Sequence, residues 1–94
     1  MEIRFYIDPE TGQAHIYNHG VSKTEVRQVM QGQGDDFQGR KNAHIKLGQT
    51  VGGRFLQVVY RADPRHDTVF VITAFDLRGK ALKAYRRRQR RKRK

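Results

Sequence analysis

The sequence predicts an α+β domain in the order β-α-α-β-β-β-α, an antiparallel sheet with its helices against one face. Three observations predict it. A short alternating segment opens the chain, a capping box marks a helix soon after, and three alternating segments joined by turn residues precede a helix-capable C-terminus. At 94 residues, with five Phe and four Tyr, the chain is long enough for one domain with a small core.

"IRFYI" (Ile3–Ile7) sets Ile3, Phe5 and Ile7 against Arg4 and Tyr6, the alternation of a strand. Asp8 then suits a helix N-cap and Pro9 the first helical position. Gly12 weakens that helix, which should end by Gly20 as a C′ residue. Ser22 and Glu25 form the capping box of a second helix, and Val21 and Val26 occupy its hydrophobic staple. Val26, Val29 and Met30 make one apolar stripe. The glycine-rich stretch Gln31–Arg40 reads as a loop.

"AHIKLGQ" (Ala43–Gln49) puts Ile45 and Leu47 on one face and His44 and Lys46 on the other. Val51–Gly53 turns the chain into a strand over Arg54–Arg61, and Ala62–Asp67 turns it into a strand over Thr68–Phe75, giving an antiparallel meander. In "LRGKALKAYRRRQ" (Leu77–Gln89), Ala81, Leu82 and Tyr85 fall at core spacing, with Gly79 costing about 1 kcal/mol against Ala. The basic residues beyond Tyr85 complement that helix's dipole, so part of the tail is expected to be helical. One domain over residues 1–85 and a polybasic tail over residues 86–94 are expected.

The charge is unevenly placed. The net is +11, yet eight of the twenty basic residues lie in Arg86–Lys94. The remaining twelve basic and nine acidic residues leave residues 1–85 at only +3. Such a tail neutralises phosphates and releases counterions, which points to RNA or DNA with salt-sensitive affinity. Phosphate contacts position a protein and carry no sequence information. An acidic protein or anionic lipid is the other partner class for such a tail. With no cysteine, disulfides and thiolate metal sites are excluded. The start lacks a basic segment followed by an apolar one, so no signal peptide is expected. The longest nearly apolar run, Val69–Phe75, is too short to span a bilayer. The expectation is a soluble cytoplasmic protein without membrane association.

"IDPETGQAHIYNHGVSKTEV" resembles the opening of BrnT-type toxins, with an aromatic-Asp-Pro start, a short helix, then Lys-His-Gly-Val and a second helix. "LGQTVGGRFLQVVY" resembles that family's Ile-Gly-x-Thr, turn, Gly-Arg-x-Leu-x-Val-Val-Tyr segment. "VITAFDLRGKALKAY" falls where the family has Ile-Ser-Ala-Arg and a basic helix ending in Tyr. The resemblance covers about residues 3–85. Asp8, Pro9, His19, Gly20, Val21, Gly48, Thr50, Gly53, Arg54, Val58, Val59, Tyr60, Ala74 and Tyr85 fit the pattern. Phe75 stands where the family has Arg, His15 where it has Asn, Asn18 where it has Lys, and Ala81 where an acidic residue is common. The resemblance implies a RelE-like fold, ribonuclease activity and a cognate antitoxin as partner.

RNA cleavage by the 2′-hydroxyl needs a proton acceptor, a proton donor and positive charge around the phosphorane. No pair of carboxylates offers itself, since Asp35 and Asp36 share a glycine-rich loop and Asp63 and Asp67 a turn. RelE-like enzymes generally use Arg, Lys, Tyr and sometimes His. His44 is the first candidate here, projecting with Lys46 from the face where the helices are not expected to pack. Arg54 and Arg61 flank the next strand and can hold phosphate bidentately. Arg78, three residues past Phe75, can replace the missing strand-end Arg. Tyr85 can donate a proton or stack on a base, although its spacing from Ala81 and Leu82 also suits a core position. Lys46, Arg86, Arg87, Arg88, Arg90, Arg91, Lys92, Arg93 and Lys94 are the expected nucleic-acid contacts.

His15 and His19 are four apart, a spacing that can bind zinc on a helix. They lack both a third ligand and the glutamate of a metalloprotease, so a structural or capping role is expected. "RHD" (Arg65–Asp67) sits on a turn, and "GQTVGGR" (Gly48–Arg54) lacks the Gly-Lys-Ser/Thr of a phosphate-binding loop. No metal and no cofactor are expected. The expected function is that of a toxin whose partners are RNA and an antitoxin, an endoribonuclease acting without metal. A catalytically degenerate RNA- or DNA-binding protein and a protein-interaction module are the alternatives.

Overall fold

A computed structural model describes residues 1–92. Strand β1 (Glu2–Phe5) is followed by a 3-10 turn (His15–His19) and helix α1 (Lys23–Gln31). Strands β2 (Asp35–Gln38), β3 (His44–Gln49), β4 (Phe55–Asp63) and β5 (Thr68–Asp76) come next, and helix α2 (Gly79–Lys92) follows them. The strands form one sheet in the order β1-β5-β4-β3-β2. β1 runs parallel to β5 and every other pair is antiparallel. The α+β class and the meander are as expected, but the sheet is mixed and not antiparallel throughout, because the N-terminal strand pairs in parallel with the edge of β5.

The element order departs from expectation in two places. The Asp-Pro signal starts a tight turn and no α-helix. Asp8 Oδ1 accepts from the Glu10 N–H at 2.9 Å and its carbonyl accepts from the Gly12 N–H at 2.8 Å. Gly12 then takes φ +71° and reverses the chain, so that Ile7 bridges Ala14. Only the five-residue 3-10 turn remains, closed as expected by Gly20 at φ +67°. The second departure is β2, which lies inside the expected loop Gln31–Arg40. Asp35, Asp36 and Gln38 are poor strand formers, and their pairing with β3 is decided by tertiary contact. A Cβ on Gly34 would stand 1.7 Å from the Leu47 carbonyl oxygen, so only glycine lets the backbones approach. Two aspartates on this outermost strand suit an edge that must not pair further.

The capping box and staple are present. Ser22 Oγ accepts from the Glu25 N–H at 3.1 Å, Glu25 Oε1 accepts from the Ser22 N–H at 3.0 Å, and Val21 and Val26 are both buried. α1 then lays Val26 and Val29 on Leu56, Val58, Val71 and Ala74 of the sheet. Each such fully buried side chain contributes roughly 1.5–3 kcal/mol.

The helices do not share a face. β3 alternates, and Gly48 leaves room for α1, whose Val29 Cγ1 would lie 2.9 Å from an added Cβ. Leu47 points to the other side, where Ile45 and Phe55 receive Leu82 and Tyr85 of α2. His44 and Lys46 therefore lie on the α1 face, not on a bare one. The β4/β5 register slips between Val59 and Tyr60, with Ile72 as the extra residue. Gly79 takes φ +64° at the start of α2. There it shapes the connection from β5 and does not burden a helix interior. Ala81, expected in the core, is exposed.

Candidate nucleic-acid interface

Helix α2 passes through positions 85 and 86 without a break and stays helical to Lys92. Its inner side carries Leu82, Tyr85 and Gln89. Lys80, Lys83, Arg87, Arg90 and Arg91 recur at helical spacing on the outer side, all exposed. Asp35 anchors the C-terminal half, accepting from Arg88 Nε, from Gln89 Nε2 at 3.2 Å and from Lys92 Nζ at 3.2 Å. Burial works to raise the Asp35 pKa, but the hydrogen bonds and charges of Arg88 and Lys92 outweigh it and hold the carboxyl below its ordinary value. Arg86 lies over the Phe55 ring at 5.7 Å.

The expected nucleic-acid contacts are thus of different kinds. Arg88 and Lys92 are tied to Asp35, and Arg86 to an aromatic face. Arg87, Arg90 and Arg91 form no ion pair among the described residues. Lys46 lies on the opposite face, and Arg93 and Lys94 lie outside the described residues.

A groove of about 720 Å³ runs between α2, the end of α1 and the Gly32–Gly34 segment. Phe55 and Tyr85, packed edge to face with centroids 6.1 Å apart, lie along it. Arg86, Arg90 and Lys92 supply charge, and Gln33, Gln49 and Gln89 supply amides. The rings form the floor of the groove, their surfaces taken up by each other and by Arg86, while the cations and amides line its rim.

The end of the sheet beside this groove carries a charged network. Arg54 Nε donates to Asp76 at 2.6 Å, and its Nη1 donates to the Gly20 carbonyl at 2.8 Å and to Glu25 at 3.2 Å. Its Nη2 donates to the His19 carbonyl at 3.4 Å. The hydrogen bond to Asp76 raises the Arg54 pKa despite desolvation, and Glu25 adds to the effect. Asp76 is held low in turn by Arg54 and Arg78, and Glu25 by the Ser22 N–H and Arg54. Arg54 is therefore a clamp joining the 3-10 turn, α1 and β5. Arg78 remains available, with its side chain 82% exposed and one contact to Asp76 at 3.1 Å.

An aromatic line continues across the sheet edge. The ring of Phe75 is 5.8 Å from that of His19. His19 is 5.3 Å from His15, His15 is 6.1 Å from Tyr6, and Tyr6 is 6.5 Å from Phe70. Asp8 Oδ2 accepts from Asn18 Nδ2 at 2.8 Å and lies 3.3 Å from His15 Nδ1. The sequence shows the spacing of His15 and His19, but on a continuous helix with Asp8 as its cap. The Asp8–His15 contact depends on the reversal at Gly12, which local pattern does not reveal.

The five sequence-predicted catalytic residues do not converge. Arg54 and Arg78 meet at Asp76. His44 stacks on Tyr60 at 5.3 Å on the α1 face, separated from the Arg54 end by the length of β3, about 17 Å. Tyr60 donates to Asp36 Oδ2 at 2.6 Å, a pairing absent from the sequence reading, and burial followed by that bond drives its pKa far upward. Tyr85 is buried against Phe55 on the α2 face, its pKa raised by burial and by the Asp35 charge. Arg61 is exposed, on the strand face shared with Phe70.

Among the described residues no three His, Asp or Glu side chains converge as metal ligands, and no helix is long and apolar enough to cross a membrane. No protein-family model, no curated protein and no solved structure matches the chain.

Proposed function

We propose that this chain is a BrnT-type, RelE-like toxin. Its activity is that of an endoribonuclease cleaving RNA by 2′-hydroxyl attack without metal, and its partner is a cognate antitoxin. The observation that carries the RNA reading is the surface built by α2. An outer row of cations, which form no ion pair among the described residues, lies next to a groove lined by Arg86 and Lys92, with Arg90 at the boundary between the two. The row supplies affinity for a phosphate backbone, and the amides of Gln33, Gln49 and Gln89 along the groove offer hydrogen bonds to bases. The resemblance over residues 3–85 supports the nuclease step, and Arg78 offers exposed charge near the sheet end where Phe75 replaces the family's Arg. A second reading, an RNA- or DNA-binding protein without cleavage, is favoured by the separation of His44, Arg54 and Tyr85.

The test pairs binding with cleavage. Replacing Arg87, Arg90 and Arg91 by Gln leaves the Asp35 ion pairs intact. For three lost phosphate contacts, the slope of log affinity against log salt on single-stranded RNA should become shallower by about 2. Fluorescence anisotropy across a salt series measures this, and an unchanged slope would remove α2 as the interface. Incubating the same proteins with labelled RNA in EDTA separates the two readings. Fragments ending in 2′,3′-cyclic phosphate indicate the nuclease, whereas salt-sensitive binding to RNA that stays intact, free or on ribosomes, indicates the binder.

A further inference from the structure

Cleavage by the 2′-hydroxyl requires one group to accept that proton and a second to protonate the leaving oxygen. The 3-10 turn presents two imidazoles in one place. His15 and His19 stand 5.3 Å apart, edge to face, at the sheet edge. Asp8 lies beneath the first of them, its side chain only 13% exposed, with its Oδ1 taken by the Glu10 N–H and its Oδ2 shared by Asn18 and His15. His15 Nδ1 lies 3.3 Å from both Asp8 Oδ2 and Asn18 Nδ2, and Asn18 Nδ2 also donates to Asp8 at 2.8 Å. In the tautomer we assign, Nδ1–H donates to the ionised carboxylate, which only accepts, and Nε2 keeps its lone pair. The Glu10 N–H and Asn18, with His15 itself, hold Asp8 below the ordinary carboxylate range in spite of burial, which keeps it ionised at neutral pH. This is a base oriented by a third group.

The second imidazole differs. His19 is exposed, nothing among the described residues hydrogen-bonds its ring, and the Arg54 clamp fixes its backbone through the His19 and Gly20 carbonyls. Exposed Tyr6 and Phe70 flank the pair on one side and Phe75 flanks it on the other. Arg78 joins the Arg54 clamp through Asp76. Bases of a single strand can stack on either side of the pair while a phosphate crosses it.

We propose that His15 and His19 are the catalytic residues for phosphodiester transfer in single-stranded RNA, with Asp8 as the positioning residue of His15. This rests on the ribonuclease reading above. His15 Nε2 takes the 2′-hydroxyl proton, the O2′–P bond forms while the P–O5′ bond breaks, and protonated His19 gives its proton to O5′. The products are a 2′,3′-cyclic phosphate and a 5′-hydroxyl. His15 leaves the step protonated and His19 neutral, and proton exchange with water restores both. Histidine suits both roles because it exchanges protons near neutral pH.

The test uses the full chain with a labelled mixed-sequence single-stranded RNA, free and on purified ribosomes, in EDTA. His15→Gln and His19→Gln should each slow cleavage by about 100-fold or more, with the melting temperature unshifted and RNA affinity unchanged from wild type. His66→Gln, on the β4–β5 turn, serves as the histidine control and should cleave normally. The wild-type pH–rate profile should be bell-shaped. His15→Gln should remove its acid limb and His19→Gln its alkaline limb, while Asp8→Asn should lower the rate and displace the acid limb. The charged and titratable groups facing the pair are Asp8, Tyr6 and the Arg54–Asp76–Arg78 network, none of which these substitutions at His15 and His19 change. Cleavage by both histidine variants at the wild-type rate would overturn the proposal and leave the nuclease reading standing. Losses of activity matched by equal losses of RNA affinity would reduce the pair to a stacking platform and also overturn it. Intact RNA with the wild-type protein, free and on ribosomes, would remove both the pair and the nuclease reading.

Discussion

Helix α1 reaches its face of the sheet with Val26 and Val29, 0% and 1% exposed, and joins a core cluster of eleven buried residues. Helix α2 reaches the opposite face with Tyr85 and a half-buried Leu82, and its cluster counts only three buried residues. Charge makes up part of the difference. Asp35 holds Arg88, Gln89 and Lys92, and Phe55 receives Arg86. Apolar burial is not screened by salt, whereas ion pairs at the surface are. The lesson is a division of labour, with α1 fixing the fold and α2 docked by contacts that ionic conditions can weaken. A helix with basic residues at most of its positions has few left for apolar anchors, so a single aspartate on the edge strand takes their place.

Three substitutions can break or sharpen this contrast. The largest effect is expected at Leu56, 0% exposed beneath α1. Leu56→Ala should cost about 2–5 kcal/mol in urea unfolding, and a loss below about 1 kcal/mol would mean that α1 is not seated on a tight core. Next comes Arg54→Met, which keeps the stem but strands Glu25, Asp76 and two carbonyls. We expect a loss of about 1–3 kcal/mol, with the resonances of His19 and Gly20 displaced because their clamp is gone. A variant as stable as wild type, with those signals unmoved, would show the clamp to be idle.

The smallest effect is expected for Asp35→Asn, about 1 kcal/mol, and it should be local. NMR signals of the Tyr85 ring should broaden or shift while those of Val26 and Val29 stay put. The pH dependence has a definite sign. Because the folded pKa of Asp35 is below its ordinary value, its contribution is complete above the unfolded carboxylate pKa of about 3.9 and is lost as pH falls through the lower folded value. Acid titration below about pH 4 should therefore release Tyr85 in the wild type. In the Asp35→Asn variant the same titration should leave the Tyr85 signals unmoved, because α2 is already loosened there. Coincident loss of the α1 and α2 signals in both proteins would merge the two regions into one cooperative unit.

What was legible in the sequence was what neighbours along the chain decide. Ser22 with Glu25, Val21 with Val26, and Gly20 as a left-handed stop are local signals, and each is where it was expected. Gly34 under Leu47 and Gly48 under Val29 are distant pairs. No window of sequence shows that one glycine admits a strand and the other admits a helix, so β2 and the two-sided packing were missed. The site shows the same limit. The spacing of His15 and His19 could be read, but their company could not, since Asp8 reaches His15 only because Gly12 turns the chain back. Phe75 read as an absent Arg, whereas in three dimensions its ring stands against His19.

β1 pairs with β5, which places Glu2 beside Thr68, 66 positions later. The backbone of Tyr6, which leads into the histidine turn, also hydrogen-bonds to Val71 of β5. Contacts so far apart form late, because loop closure must be met before they give anything back. During synthesis the first strand and the turn behind it wait with no sheet edge to settle on until the last strand has been made. A half-finished chain therefore holds both histidines on a turn that lacks the β5 edge seating it, so this corner of the molecule takes its final place only when the last strand has been made.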